Sequence, residues 1–586
     1  MTDIPHDAVA SPDVQTTSDI ADLITQFRAF VAALWSSPGR RNLTLLTIGI
    51  VSVICLTAGG QVMLNAWNGP FYEAVEKRDL AAFTHQLMVF FLIAGGLLVL
   101  NVAQAWLREM IKVQSREWLT KDLISAWMTP GRAARLAHAG EIGINPDQRI
   151  HEDARRLTEL SAEFGIGLFQ STLLLVSFIG VLWSLSSGIA LYIGGQSYTI
   201  PGYMVWAALI YAATGSWLTW VVGRPLVGFN SQRFAREADL RFSLVQANEH
   251  ADSIALDRRE TKEQGRLDTE LDRVLAMMRA IVGATAKLTW VTAGYGWISI
   301  VAPIVIAAPG YFGGQLSFGE LMMAVGAFFQ VNQSLRWFVD NFANIAEWRA
   351  ILHRVMKFRE VLLTFESKLE AGPKIEYVPS PSGKLALDKV AVAADTGEEA
   401  IVDWPKADVG PGDRVLVLDQ TKSGKSPLLS ALAGLWPFGT GRLEIPSDEK
   451  AMFLKARPYM LQGTLREVLT YPHPAGEFAD AEERAALQRV GLSRLVESLD
   501  KTMRWEQVLN ADEQARLAIA HLILHRPRWV FCDGNPNIVD DDDNDVVSSI
   551  FETELADTAL VSVARRRGRD GLCRQVVHLT GAQEKG

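Results

Sequence analysis

Charge is what this sequence has least of. Only 21% of its 586 residues are Asp, Glu, Lys or Arg, against 49% hydrophobic ones. The net charge of −9 comes without the basic stripe of a nucleic-acid binder, so no nucleic-acid partner is expected. Cysteine is scarce too. Cys55, Cys532 and Cys573 have no metal-ligand spacing and cannot build a disulfide framework, and no metal site is expected from them. The first forty residues carry Asp3, Asp13, Asp19 and Asp22 and no long apolar run, so no cleaved signal peptide is expected. At this length two or three domains are the expectation.

What is present is aromatic and apolar, with 17 Trp and 25 Phe. That bias belongs to a chain lying partly in lipid. Residues 1–18 are polar and read as an unstructured tail. From Asp19 to Trp35, Ile20, Leu23, Ile24, Phe27, Val31 and Leu34 recur at helical spacing, which predicts an amphipathic helix on the membrane surface. Six stretches, roughly 43–66, 85–107, 164–190, 203–225, 280–308 and 317–340, have the ~20 apolar residues a spanning helix needs. The long segments after the second and fourth hold most of the Arg and Lys, including Arg108, Lys112, Arg116, Arg233 and Arg236. The positive-inside rule therefore puts them and both termini in the cytoplasm. Their helical pattern predicts two extended hairpins. After about Trp348 the lipid-like pattern stops. A Lys-, Glu-, Pro- and Ser-rich linker leads to about 200 residues in which apolar runs (Arg414–Leu418, Trp529–Cys532, Ala559–Val563) alternate with helical segments. That is the pattern of an α/β fold with a largely parallel sheet.

Within that domain, residues 414–426 read as strand, loop and helix start. A phosphate loop follows G-x-x-x-x-G-K-[ST], and Gly424, Lys425 and Ser426 hold their places. Asp419 stands where the first glycine belongs and puts a negative side chain beside the phosphates. Pro427 removes a backbone donor although its fixed φ suits a first helical turn. The acidic run Asp540–Asp543 reads as a solvated turn, not a metal site.

The stretches Leu432–Pro446 and Phe453–Leu465 resemble the ATPase domain of bacterial ABC proteins of the SbmA/BacA-like and fatty-acyl (ABCD-type) branch. So do Leu64–Glu73, Asn145–Asp153, Gly223–Asn230, Arg236–Phe242, Ala251–Leu256 and Ala307–Gly313 in the membrane half. The fold this implies is a polytopic α-helical membrane domain of six helices, ABC exporter-type, plus an α/β ABC-ATPase-like cytoplasmic domain. The divisions would be 1–40, 41–348, a linker at 349–383, and a degenerate nucleotide-binding domain at 384–586. Matched by motif, Ala456 stands for the Q-loop glutamine. Asp512 replaces a signature glycine within Leu509–Glu513, Gly534 the catalytic glutamate after the Walker B residue Asp533, and Arg565 the switch histidine. No aromatic near 393–396 stacks an adenine. Phosphoryl transfer rests on positioning and electrostatics, so no hydrolysis is expected, no cofactor is required, and ATP with magnesium is left open as a ligand that is not hydrolysed.

The resemblance further implies a homodimer in a bacterial inner membrane that takes up peptides, antimicrobial ones included. Members without an ATPase domain run on protons, so uptake is expected to be proton-driven with the ATPase domain kept in a structural role, and such coupling needs cavity carboxylates. The candidates by position are Glu73, Glu76, Glu237, Asp239 and Glu320. The alternative is an ATP-driven transporter of peptides or hydrophobic and acyl substrates. The segments 145–153 and 251–260 would be the family's docking tips, where Asp257 and Arg259 depart from its pattern.

Overall fold

The structure is a computed structural model. It describes residues 12–35, 39–136, 145–187, 189–193, 196–368, 374–380, 382–393, 399–403, 407–419, 425–446, 451–455, 458–534, 544–565 and 572–581. The chain divides into two compact units, Met1–Ser125 with Asn145–Glu360, and Ala126–Ile144 with Val361–Gly586.

In the first unit α1 (Pro12–Trp35) precedes α2 (Arg40–Glu76) and α3 (Leu80–Trp127), whose last residues run into the second unit, where α4 (Arg132–Leu136) lies. A turn of helix α5 (Pro146–Gln148) and a π turn lead into α6 (Ala154–Ser186). A hairpin of β1 (Ala190–Ile193) and β2 (Gln196–Thr199) precedes α7 (Tyr203–Glu249), the short α8 (Ala251–Leu256), α9 (Glu260–Phe312), α10 (Phe318–Asp340) and α11 (Phe342–Lys368).

Five helices among the described residues are long and apolar enough to cross a membrane: Arg40–Glu76, Leu80–Trp127, Pro146–Ser186, Tyr203–Glu249 and Glu260–Phe312. The stretch expected to be the sixth forms α10, whose 23 residues include Glu320, Arg336, Asp340 and several amides. The 47 residues of α7 and 53 of α9 make rods of roughly 70–80 Å at 1.5 Å per residue. That is more than twice a hydrocarbon core of about 30 Å, so each charged segment continues its helix as the sequence suggests.

Packing centres on α10. Its Phe328, Val331 and Leu321 bury against Phe178 and Leu182 of α6, Met204 and Ala208 of α7 and Ala307 of α9. At one point α10 meets α2 backbone to backbone: a Cβ on Gly319 would lie 2.3 Å from the carbonyl oxygen of Gly69.

Two expectations change here. The helix α1 starts at Pro12, inside the stretch expected to be tail. Its apolar stripe is partly covered by α11: Phe27 meets Trp348 edge-on at 5.9 Å and Phe30 is buried, while Ile24 and Trp35 stay exposed. The expected linker at 349–383 is helical as far as Lys368, because Ile351, Leu352, Val355 and Phe358 recur on one buried face of α11. Arg354 on that helix makes a two-pronged ion pair with the buried Asp153 at 2.8 and 2.9 Å. The first expected docking tip thus ends in a fixed contact within its own unit.

The second unit is built on a ten-stranded sheet in the order β3-β8-β4-β5-β14-β7-β13-β12-β9, with β6 beside β4. Its strands are β3 (Glu376–Pro379), β4 (Leu385–Ala393), β5 (Glu399–Asp403), β6 (Ala407–Val409), β7 (Arg414–Asp419), β8 (Gly439–Ile445), β9 (Ala451–Leu454), β12 (Trp529–Asp533), β13 (Ala559–Ala564) and β14 (Gln575–Gly581). The three apolar runs are β7, β12 and β13. They pair in parallel with β14 and β9, and all six residues of β13 are buried, as expected for a strand covered on both faces. Sequence periodicity did not anticipate the antiparallel part around β4, β5 and β8.

One face packs on α12 (Lys425–Leu432) with Trp436 and Trp529. The other packs on α13 (Leu465–Thr470), α14 (Asp480–Arg489), α16 (Ala511–His525) and α17 (Asn544–Glu552). The short α15 (Trp505–Val508) and a ribbon of β10 (Gly463–Thr464) with β11 (Thr502–Met503) complete this side.

On α16, burial holds the His521 imidazole down to about 4, helped by His525 4.0 Å away. The folded state therefore prefers the neutral ring. Its contribution to stability is complete above the unfolded value near 6.5 and is lost as pH falls towards 4, by at most about 1.4 kcal/mol per unit. Between pH 6.5 and 4.5 the wild type should lose stability more steeply than His521→Gln. Urea unfolding followed by tryptophan fluorescence at several pH values checks this, and parallel slopes would refute it.

Candidate functional site

In parallel sheets ligands bind beyond the carboxyl ends of the strands. Here β7, β13 and β12 are neighbours, with Asp533 opposite Val563 and Leu418 opposite Ala564. Asp419, Arg565, Asp533 and Gly534 thus come to one edge, beside α12, which opens on Lys425 and Ser426. Gly424 and Ala456 lie outside the described residues, as do residues 420–424 as a whole. Pro427 falls in the first turn of α12, where its ring is tolerated. Asp419 is buried, 5% exposed.

The half-buried carboxylate of Asp533 suits a magnesium ion. Gly534 departs from a catalytic role for a backbone reason as well. Its φ is +104°, its N–H donates to Val563 O at 2.9 Å, and its carbonyl accepts from Ser562 Oγ at 2.7 Å. A glutamate placed there would sit strained on a pinned backbone.

The segment Leu509–Glu513 forms the start of α16. Asn510 accepts from the Glu513 N–H at 2.8 Å while the Glu513 carboxylate accepts from the Asn510 N–H at 3.2 Å, a reciprocal capping box. Arg494 holds Glu513 below the usual carboxylate range. Asp512 accepts from Arg516 Nε at 2.8 Å, one turn along. The helix start is occupied by its own side chains, and the aspartate is in an intrahelical pair.

In the membrane unit the carboxylate candidates separate. Ser317 donates its hydroxyl to Glu73 Oε1 at 3.0 Å and accepts from the Glu320 N–H at 3.1 Å, while its own N–H donates to Glu320 Oε2 at 2.8 Å. Glu73 and Glu320 therefore meet at one serine. Glu320 also caps α10, a role announced by the Ser317-x-x-Glu320 spacing. Glu237 and Asp239 form surface pairs with Arg233 and Arg236 at 3.5 and 3.3 Å, and Glu76 is exposed. The structure does not bring these three to the pair at Ser317. Sequence reading counted Arg108 among the charges of a cytoplasmic segment and missed Gln170, Gln330 and Trp337, which line one cavity with it. Their signal was polarity inside apolar helices.

Residues 30–312 match the model of ABC transporter transmembrane region 2. The chain is 26% identical to the inner membrane ABC transporter ATP-binding protein YddA of Escherichia coli, over 93% of this chain and 96% of that protein. It is 24% identical to the chloroplastic ABC transporter D family member 2 of Arabidopsis thaliana, over 97% and 88%. Against the human lysosomal cobalamin transporter ABCD4 it is 26% identical over 85% of each.

Proposed function

We propose, from the match of residues 30–312 to the model of ABC transporter transmembrane region 2, that two copies of this chain form an ATP-driven transporter. It moves peptides or hydrophobic and acyl substrates across a bacterial inner membrane. In this reading α10 is the sixth span, both termini are cytoplasmic, and residues 384–586 are an ABC-type nucleotide-binding domain. The observation that carries it is the convergence of β7, β12 and β13 beside the start of α12. ATP with magnesium would be held by Gly424, Lys425, Ser426 and Asp533, and nucleotide supplies the free energy of closing the two copies. Asp419, Pro427, Ala456, Asp512, Gly534 and Arg565 are departures that make turnover slow, since nothing at 534 or 565 positions water.

A second reading, proton-driven peptide uptake over a soluble domain kept for structure, is favoured by the meeting of Glu73 and Glu320 at Ser317. A group loaded and emptied by protons must change its surroundings between states, at about 1.4 kcal/mol per pKa unit. Uptake of a labelled peptide and of a labelled acyl compound into proteoliposomes separates the two. Uptake should require ATP on the side of the soluble domain, fall at least tenfold in Lys425→Ala, and survive a protonophore. Uptake that ignores ATP, collapses with the protonophore and is lost in Glu73→Gln overturns the first reading in favour of the second.

A further inference from the structure

Helices α3, α6 and α10 enclose a cavity of about 360 Å³ within the membrane unit, in the range of roughly 300–1,000 Å³ usual for small-ligand sites. Its walls are polar in helices that are otherwise apolar. Gln170 comes from α6 and Gln330 and Ser334 from α10. The Trp337 indole lies against α6 at Gly167, where a Cβ would be 2.6 Å from Trp337 Nε1. That glycine lets the ring close one side of the cavity.

Two charges reach it, and only one is answered. Glu163 takes Lys112 Nζ at 3.0 Å. Arg108 has no ion-pair partner among the described residues, and its Nε is buried without a hydrogen-bond acceptor. One turn earlier on α3, Gln104 donates to Gln170 Oε1 at 2.8 Å, yet its own Oε1 is buried and unsatisfied. Buried polar atoms are ordinarily paired, and an unpaired cation in such surroundings is costly. The deficit here is an anion for the guanidinium, and the amides of Gln170 and Gln330 on the cavity wall offer hydrogen-bonding groups beside it.

We propose that this cavity binds a peptide-like organic carboxylate. The carboxylate sits on Arg108, whose planar fork matches it, and the ligand's amide groups meet Gln170 and Gln330. The inference deepens the transport reading by naming a substrate class and rests on it only for what happens after binding.

The test is equilibrium binding of radiolabelled N-acetyl-dialanine to the purified full-length protein without nucleotide, compared with the same compound as its C-terminal amide. The acid should bind at least tenfold more tightly. Arg108→Gln should bring acid binding down to that of the amide, and Arg108→Lys, which keeps the charge but not the fork, should keep only part of the preference. Each variant is first shown to elute as the wild type does on size exclusion. Equal binding of acid and amide, no binding of either, or a preference that persists in Arg108→Gln overturns the proposal. If the preference holds while uptake proves independent of ATP, the site stands and the ATP-driven reading falls. If ATP-driven uptake of acyl compounds proceeds with no preference, the reverse is true.

Discussion

Replacing Arg466 with alanine is expected to remove on the order of 3–5 kcal/mol from the second unit, the cost of leaving a buried charge without its partner. Arg466 on α13 meets Glu483, Asp480 and Asp500, the last two at 2.8 Å each. The aspartates are exposed and their pairs with it contribute little, although Arg466 holds Asp500 below the usual carboxylate range. Glu483 is different. Its side chain is fully buried, and its second oxygen, Oε1, has no partner. In Arg466→Ala that carboxylate must be protonated or drag α14 open. Arg466→Ala combined with Glu483→Leu should recover much of the loss, because the charge goes with its partner. Thermal unfolding of the three proteins checks this, and a loss under about 1 kcal/mol in the single variant would show the pair to be incidental.

The second large effect is expected at Gly319. The side chain of any residue there would run into the backbone of Gly69, which cannot turn aside as a flexible side chain does. Ordinary overpacking costs about 1–3 kcal/mol, and a backbone-to-backbone contact lies at or beyond the upper end. Gly319→Leu should yield no monodisperse protein in detergent, and Gly319→Ala a reduced amount. Fluorescence-detected size exclusion reads both. A wild-type peak from Gly319→Leu would mean that α2 and α10 do not approach so closely.

The parts of the fold legible in the sequence were those written in long patterns. Apolar runs placed α2, α3, α6, α7 and α9, and buried parallel strands read as unbroken hydrophobic stretches at β7, β12 and β13. The helix α11 was hidden because its charged face dilutes the apolar one, so Lys357, Arg359 and Glu360 looked like linker. Among the antiparallel strands, Ala407–Val409 is too brief to carry a period, and the nine residues of β4 are broken by a register shift between Asp388 and Ala391.

At the candidate site the departures from a phosphate loop were readable, but their meaning was not. The position of Gly534 at φ +104° and the pairing of Asp512 with Arg516 depend on backbone and neighbours that no spacing encodes. Glu320 was readable in principle, since Ser317 three residues earlier marks a cap. The cavity at Arg108 was not, because its walls come from helices separated by some 220 residues of chain, from Arg108 to Gln330.

The strand order of the second unit also governs when it can form. Central β7 lies at residues 414–419, and both its neighbours arrive late, β13 at 559–564 and β14 at 575–581. On the ribosome some 140 residues must be made before β7 finds its first partner. Until then its apolar faces are open to wrong partners. A stop codon before residue 575 would remove β14 and leave β7 unpaired along one side. Such a product should be cleared by proteases while its membrane-embedded portion is already in place.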